Sequence, residues 1–143
     1  MTLGPIHHVA VVVHSIADAL PRYQALFGLV PQEEPRIFDS QAVRLCFLPT
    51  GAAPAARLEL IEPIDEVSGV ARFLVTRGEG LHHVCLESRN LPADLARLAA
   101  AEAELIDSTP RPGAHGPVAF VHPHTLSGVL WELLEQPQED MGR

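Results

Sequence analysis

Ile6-His7-His8-Val9-Ala10-Val11 returns later in the chain as Leu81-His82-His83-Val84-Cys85-Leu86. An echo of this kind defines an architecture before any single element is assigned. Both stretches are short apolar runs rich in branched side chains, and both read as strands. Each leads into a helical pattern. After the first, Ser15 can cap a helix from Ile16 through Phe27 that Gly28 ends, with Pro21 expected near its first turns. After the second, Asn90 can cap and Pro92 sits in the first turn, ahead of a helix over residues 93–104. Leu91, Leu95, Leu98 and Ala99 then line one face of it.

The halves also close alike. Arg57-Leu58-Glu59-Leu60-Ile61-Glu62-Pro63 is matched by Leu130-Trp131-Glu132-Leu133-Leu134-Glu135, with Pro137 just beyond. Between helix and closing strand each half has room for two more strands, over 30–38 and 42–48 in the first and 104–108 and 117–121 in the second. Gly51-Ala52-Ala53-Pro54 and the Pro/Gly-rich stretch 110–116 read as loops. The expected organisation is therefore a βαβββ repeat over 5–62, a linker over 63–79 with a helix at 68–77 ended by Gly78, and a second repeat over 80–137. Strand-helix-three-strands, twice, is an α+β plan with curved mixed sheets around a shared cavity.

Bulk properties narrow the function. The chain has 143 residues, 47% apolar and 20% charged, which suits one soluble unit. Its formal net charge is −8 and every basic residue is Arg. Such a surface disfavours nucleic acid and anionic membrane as partners, and an anionic ligand would need a local Arg cluster. No apolar run is long enough to span a bilayer, and Met1-Thr2-Leu3-Gly4-Pro5 lacks the basic start of an export signal. A cytoplasmic location is expected, with Cys46 and Cys85 reduced and packed in apolar surroundings. Eight histidines is a high count for this length, and hints at metal or proton chemistry.

His8 precedes Glu59 by nearly the same stretch as His83 precedes Glu132. Each half thus offers one imidazole from its opening strand and one carboxylate from its closing strand. Singly, a strand histidine is more often a packed core residue, and a strand glutamate an edge gatekeeper. Four in repeat-related positions reverse that reading, because an inward carboxylate in an apolar strand is costly unless paired or metal-bound. Alternation places Glu59 on the face opposite Leu58 and Leu60, with Arg57 and Ile61. Two imidazoles and two carboxylates suit a borderline divalent ion, Co²⁺, Ni²⁺, Mn²⁺ or Zn²⁺. Two positions stay open if the ion is octahedral, which makes a Lewis-acid centre. His7 and His82 are expected to face away. His115, in a Gly-rich loop, could reach a ligand or simply stand in water; His122 and His124, in a turn, are equally open.

The chain resembles the vicinal oxygen chelate (glyoxalase/bleomycin resistance/dioxygenase) superfamily, and within it the methylmalonyl-CoA epimerases, from Ile6 to Glu135. The most specific stretches are Arg77-Gly78-Glu79-Gly80-Leu81-His82-His83-Val84, residues 110–116 with Phe120-Val121-His122-Pro123, and Gly128-Val129-Leu130-Trp131-Glu132-Leu133. The resemblance implies metal ligands at His8, Glu59, His83 and Glu132, an acyl-CoA substrate, a homodimer, and metal-assisted proton transfer at the carbon between thioester and carboxylate. Cobalt is the expected ion. Glu132 and Glu59 are the expected proton-transfer groups. The chain departs from the family in two places. Residues 43–47 carry no carboxylate where some members place a glutamate, and His124 follows His-Pro where Lys is usual. A glyoxalase-I-like lactoylglutathione lyase shares fold and ligand pattern, but the loop stretches favour the epimerases. A metal-free binding protein of this fold would tend to lose the four ligands.

Overall fold

The computed structural model describes residues 3–136; Met1, Thr2 and the expected terminal boundary at Pro137 lie outside them. The fold is α+β, in the order β1 (Ile6–Val12), α1 (Ile16–Phe27), β2 (Arg36–Phe38), β3 (Val43–Pro49), β4 (Arg57–Pro63), α2 (Gly69–Arg77), β5 (Gly80–Ser88), α3 (Leu91–Ala100), β6 (Arg111–Gly113), β7 (Gly116–Val121) and β8 (Trp131–Glu135). Two compact units divide this chain. One is His8–His82; the other joins the residues up to His7 to the chain from His83 onward. Among the described residues no helix is long and apolar enough to cross a membrane.

In the His8–His82 unit the strands run β2-β3-β4-β1. The β1–β4 pair is parallel, with Val9 opposite Leu58 and Ala10 opposite Glu59. Pairs β3–β4 and β2–β3 are antiparallel. One face of these strands packs on α1: Val13, Ile16, Cys46, Leu48 and Leu60 form a buried cluster with Ala19, Leu20, Tyr23 and Leu58 against it. The opposite face carries His8, Phe47 and Glu59. In the other unit the order is β5-β8-β7-β6. Here β5 and β8 are parallel with Val84 opposite Trp131 and Cys85 opposite Glu132, so the register of the first repeat is reproduced. Leu91, Leu95, Ala119, Val121 and Leu133 make the cluster beneath α3. Cys85, Val118, Phe120 and Leu134 make a second cluster on the opposite face, where His83 and Glu132 also lie.

Each helix starts on a side-chain cap. Ser15 Oγ accepts from Asp18 N–H, Asn90 Oδ1 from Ala93 N–H and Ser68 Oγ from Ala71 N–H. A second tie is repeated in both units. Ile16 N–H donates to Glu62 Oε1 at 2.8 Å, and Leu91 N–H donates to Glu135 Oε1 at 3.2 Å. The last glutamate of each closing strand therefore holds the positive end of the helix that follows the opening strand.

The expected and observed elements differ where proline and glycine compete with strand pattern. Of residues 30–38 only Arg36–Phe38 is strand, because Pro31 and Pro35 supply no ladder N–H. Residues 104–108 are not a strand; Leu105 forms a lone bridge to Val121, and the Asp107 carboxylate accepts the Phe120 N–H that a partner strand would have taken. The strand lies instead at Arg111–Gly113, inside the stretch read as loop, where Pro112 is tolerated on a sheet edge. That hairpin needs Gly113, since a Cβ there would stand 2.5 Å from Val118 Cγ1 and 2.7 Å from the Gly116 carbonyl oxygen. Helix α3 covers Leu91–Ala100 rather than 93–104, and ends where Glu102 takes φ +64°. Pro21 sits past the first turn of α1 on its exposed side. The 68–77 helix is α2, capped by Ser68 and ended at Gly78. Both cysteines are buried, and burial first, then the charge of Glu34, pushes the Cys46 thiol up.

Removing the repeated tie should loosen one helix at a time. Glu62→Ala is expected to lower stability by about 1.5–3 kcal/mol, the usual worth of a charge-assisted bond. It would be read as a lower urea midpoint at unchanged slope. An unchanged midpoint would show that Glu62 does not anchor α1.

Candidate functional site

Each unit carries one histidine beside one glutamate. In the His8–His82 unit His8 Nε2 stands 3.7 Å from Glu59 Oε1. In the other His83 Nε2 stands 3.0 Å from Glu132 Oε2. All four are buried, with exposures of 2% for His8, 6% for Glu59, 6% for His83 and 8% for Glu132. The pairing follows from the sheets. Parallel pairing at the register given above sets the opening-strand imidazole next to the closing-strand carboxylate, and alternation turns both away from the helix. The sequence expectation that Glu59 shares a face with Arg57, opposite Leu58 and Leu60, is met: Leu58 and Leu60 pack toward α1.

The environment of each pair is repeated as well. The His8 ring meets Phe47 edge-on at 5.3 Å, and the His83 ring meets Phe120 edge-on at 5.8 Å. Each phenyl ring also receives a guanidinium. Arg57 Cζ lies 5.0 Å from the Phe47 centroid and Arg111 Cζ 4.8 Å from that of Phe120. Arg111 is further steadied by Asp107 at 3.3 Å. A histidine, a phenylalanine and an arginine thus form one stack per unit, and the aromatic contacts restrict the imidazole to one orientation. These four supporting residues escaped the sequence reading. The signal was present in Cys46-Phe47-Leu48 and Ala119-Phe120-Val121, a second echo of small residue, phenylalanine and aliphatic residue.

The other histidines make other ring contacts. His7 is buried with its ring 6.1 Å from that of His115, which is exposed in the β6–β7 turn. His82 meets the Phe73 ring at 5.0 Å. His122 and His124 lie together in the turn after β7, their centroids 4.5 Å apart. Leu45 and Cys46 are buried core, so β3 brings no carboxylate to the face of His8.

Each buried imidazole–carboxylate pair offers nitrogen and oxygen donors of the kind that suit a borderline divalent ion.

The sequence model of the Glyoxalase/Bleomycin resistance protein/Dioxygenase superfamily matches residues 7–120. The ethylmalonyl-CoA/methylmalonyl-CoA epimerase of Cereibacter sphaeroides is 35% identical over 137 residues, covering 92% of this chain and 97% of its own. An uncharacterized protein of Bacillus subtilis is 37% identical over 134 residues, 93% of each chain. A Streptomyces coelicolor methylmalonyl-CoA epimerase solved in complex with 2-nitronate-propionyl-CoA superimposes with a TM-score of 0.87 at 29% identity, covering 94% of this chain and 99% of that one. The chain belongs to the glyoxalase/bleomycin resistance protein/dioxygenase superfamily, with the fold known as vicinal oxygen chelate, and its likeness within that superfamily is to the methylmalonyl-CoA epimerases.

Proposed function

We propose that this protein is a metal-dependent epimerase that moves the α-proton of a 2-substituted malonyl-CoA thioester, methylmalonyl-CoA being the substrate. The observation that carries the reading is the repeated buried pair, His8 with Glu59 and His83 with Glu132. The epimerases among its relatives, including one seen with an acyl-CoA analogue, support the substrate class.

His8, Glu59, His83 and Glu132 would together hold one divalent ion, Co²⁺ before Ni²⁺, Mn²⁺ or Zn²⁺. Bound, such an ion supplies Lewis acidity toward the oxygens of a thioester and its neighbouring carboxylate. The chain's own residues do the rest. Glu132 takes the α-proton from one face of the substrate, and a proton is returned on the opposite face, so that the configuration inverts. Glu59 serves the other face, since residues 43–47 offer no carboxylate. Phe47 and Phe120 keep the imidazoles oriented, and their apolar bulk limits water, which strengthens every charge nearby. On a chain of net charge −8, Arg57 and Arg111 provide the local cations that an anionic acyl-CoA needs.

Removing a ligand should remove metal and activity together. His83→Ala is expected to lose the ion, measured by elemental analysis of the dialysed protein, and a fully occupied variant would overturn the ligand assignment. Glu132→Gln separates binding from chemistry, because the amide keeps a weak oxygen ligand without the base. With metal retained, deuterium exchange at the α-carbon of methylmalonyl-CoA should fall by roughly a hundredfold or more. Near wild-type exchange would remove Glu132 from proton transfer. No exchange by the wild-type protein with any of the four ions would overturn the substrate.

We place the protein in the cytoplasm as a homodimer. Two buried cysteine side chains in apolar surroundings support a reducing compartment. The five most exposed large apolar side chains among the described residues, Val75, Val67, Phe27, Leu81 and Leu26, all fall in the His8–His82 unit and support a covered surface there. Sedimentation at micromolar concentration should show a dimer; a monomer alone would exclude it.

A further inference from the structure

A second group of donors lies within the unit that runs from His83 onward, apart from the His83–Glu132 pair. Glu104, His122 and His124 each offer a ligand atom, and the three atoms fall within 4.8 Å of one another. We propose that these residues form a second, solvent-accessible site for a divalent transition metal.

Backbone and hydroxyl bonds hold the site together before any ion arrives. His122 N–H donates to the Glu104 carbonyl at 2.8 Å, and Glu104 N–H donates to Thr125 Oγ1 at 2.9 Å. Thr125 Oγ1 donates back to the Glu104 carbonyl at 3.3 Å, and Thr125 N–H donates to the His122 carbonyl at 3.0 Å. The turn at 122–125 is thereby clipped to the segment before β7, and the three side chains project from a fixed frame. Pre-ordering of this sort reduces what a ligand must spend on ordering the loop.

The separations match a shared ion. Two imidazoles bound at the usual metal–nitrogen length of about 2.0–2.1 Å and near-right or tetrahedral angles place their ring centres about 4.5–5 Å apart. The His122 and His124 centroids are 4.5 Å apart at an interplanar angle of 59°. His122 Nδ1 stands 3.8 Å from Glu104 Oε2, a little beyond the roughly 3–3.5 Å between two donors on one ion, a gap that a small rotation of the exposed Glu104 closes. That nitrogen now accepts His124 N–H at 3.1 Å, so the ion exchanges one amide contact for a metal bond at an exposed turn, where the amide returns to water. Two imidazoles and one carboxylate select Zn²⁺, Ni²⁺, Co²⁺ or Cu²⁺ over the hard Mg²⁺ and Ca²⁺. His124 and Glu104 are exposed, which leaves the remaining coordination positions to water. An ion here would exchange with solvent and brace the far end of β7, the strand that carries Phe120.

The test counts ions on untagged, chelator-stripped full-length protein titrated with Zn²⁺ and with Ni²⁺ by calorimetry. Two classes are expected for the wild type. His124→Ala, at an exposed position outside the buried pairs, should abolish the weaker class or weaken it at least about tenfold, with an unchanged far-ultraviolet spectrum. Glu104→Gln should weaken it in the same direction. His83→Ala, which removes a ligand of the first centre, should retain this class, so the two assignments fail separately. A wild type without a second class for either ion, or a second class untouched by both His124→Ala and Glu104→Gln, overturns the site.

Discussion

A carboxylate inside a sheet face must be compensated, and this requirement organises both units. Desolvating one such ion still costs several kcal/mol after relaxation. Glu59 and Glu132 are each placed where an imidazole on the parallel neighbour meets them, at 3.7 and 3.0 Å. That placement is possible only with β1 next to β4 and β5 next to β8 in one shared register. The register in turn decides which residues face the helices. Val11, Val13 and Leu60 pack under α1, and Leu86, Ala119 and Leu133 under α3.

The second glutamate of each closing strand explains why the motif is doubled. Glu59 and Glu62 are three apart, an odd spacing, so they emerge on opposite faces of β4; Glu132 and Glu135 do the same on β8. One is held among aromatic rings beside a histidine, and the other reaches the first N–H of a helix. Glu62 also pairs with Arg44 on the neighbouring strand. A slip of one residue would turn the tether away from its helix and the histidine-paired glutamate toward it, so the two carboxylates help fix the alignment of the strand.

Much of this was legible in the chain itself. The HHV and EL(I/L)E echoes selected the four buried residues, and alternation set their faces, because strand geometry depends only on local period. The helices were legible through Ser15, Gly28, Ser68, Gly78 and Asn90, whose capping chemistry is equally local. The edge strands were not. Pro112 and Gly113 look like loop residues, yet they pair because the edge of β7 is open to them and Gly113 alone fits against Val118. Residues 104–108 look like strand, yet Asp107 satisfies the Phe120 amide from its side chain. Both outcomes are decided by tertiary partners that no window of sequence contains. The Arg57 and Arg111 stacks were hidden for the same reason: nothing in the spacing of an arginine reports the ring it covers.

The start of the chain has a kinetic consequence. Gly4 N–H donates to the Glu87 carbonyl, Glu87 N–H donates to the Pro5 carbonyl, and Leu3 packs with the cluster under α3. The segment ahead of β1 thus belongs to the unit whose other elements are synthesised only after His82. The contiguous His8–His82 stretch closes within itself, whereas its counterpart must recover the segment ahead of β1 across that whole unit, a long loop closure that slows folding. Synthesis therefore favours an ordered assembly, with the His8–His82 unit formed while the leading residues wait for Glu87 and α3 to emerge.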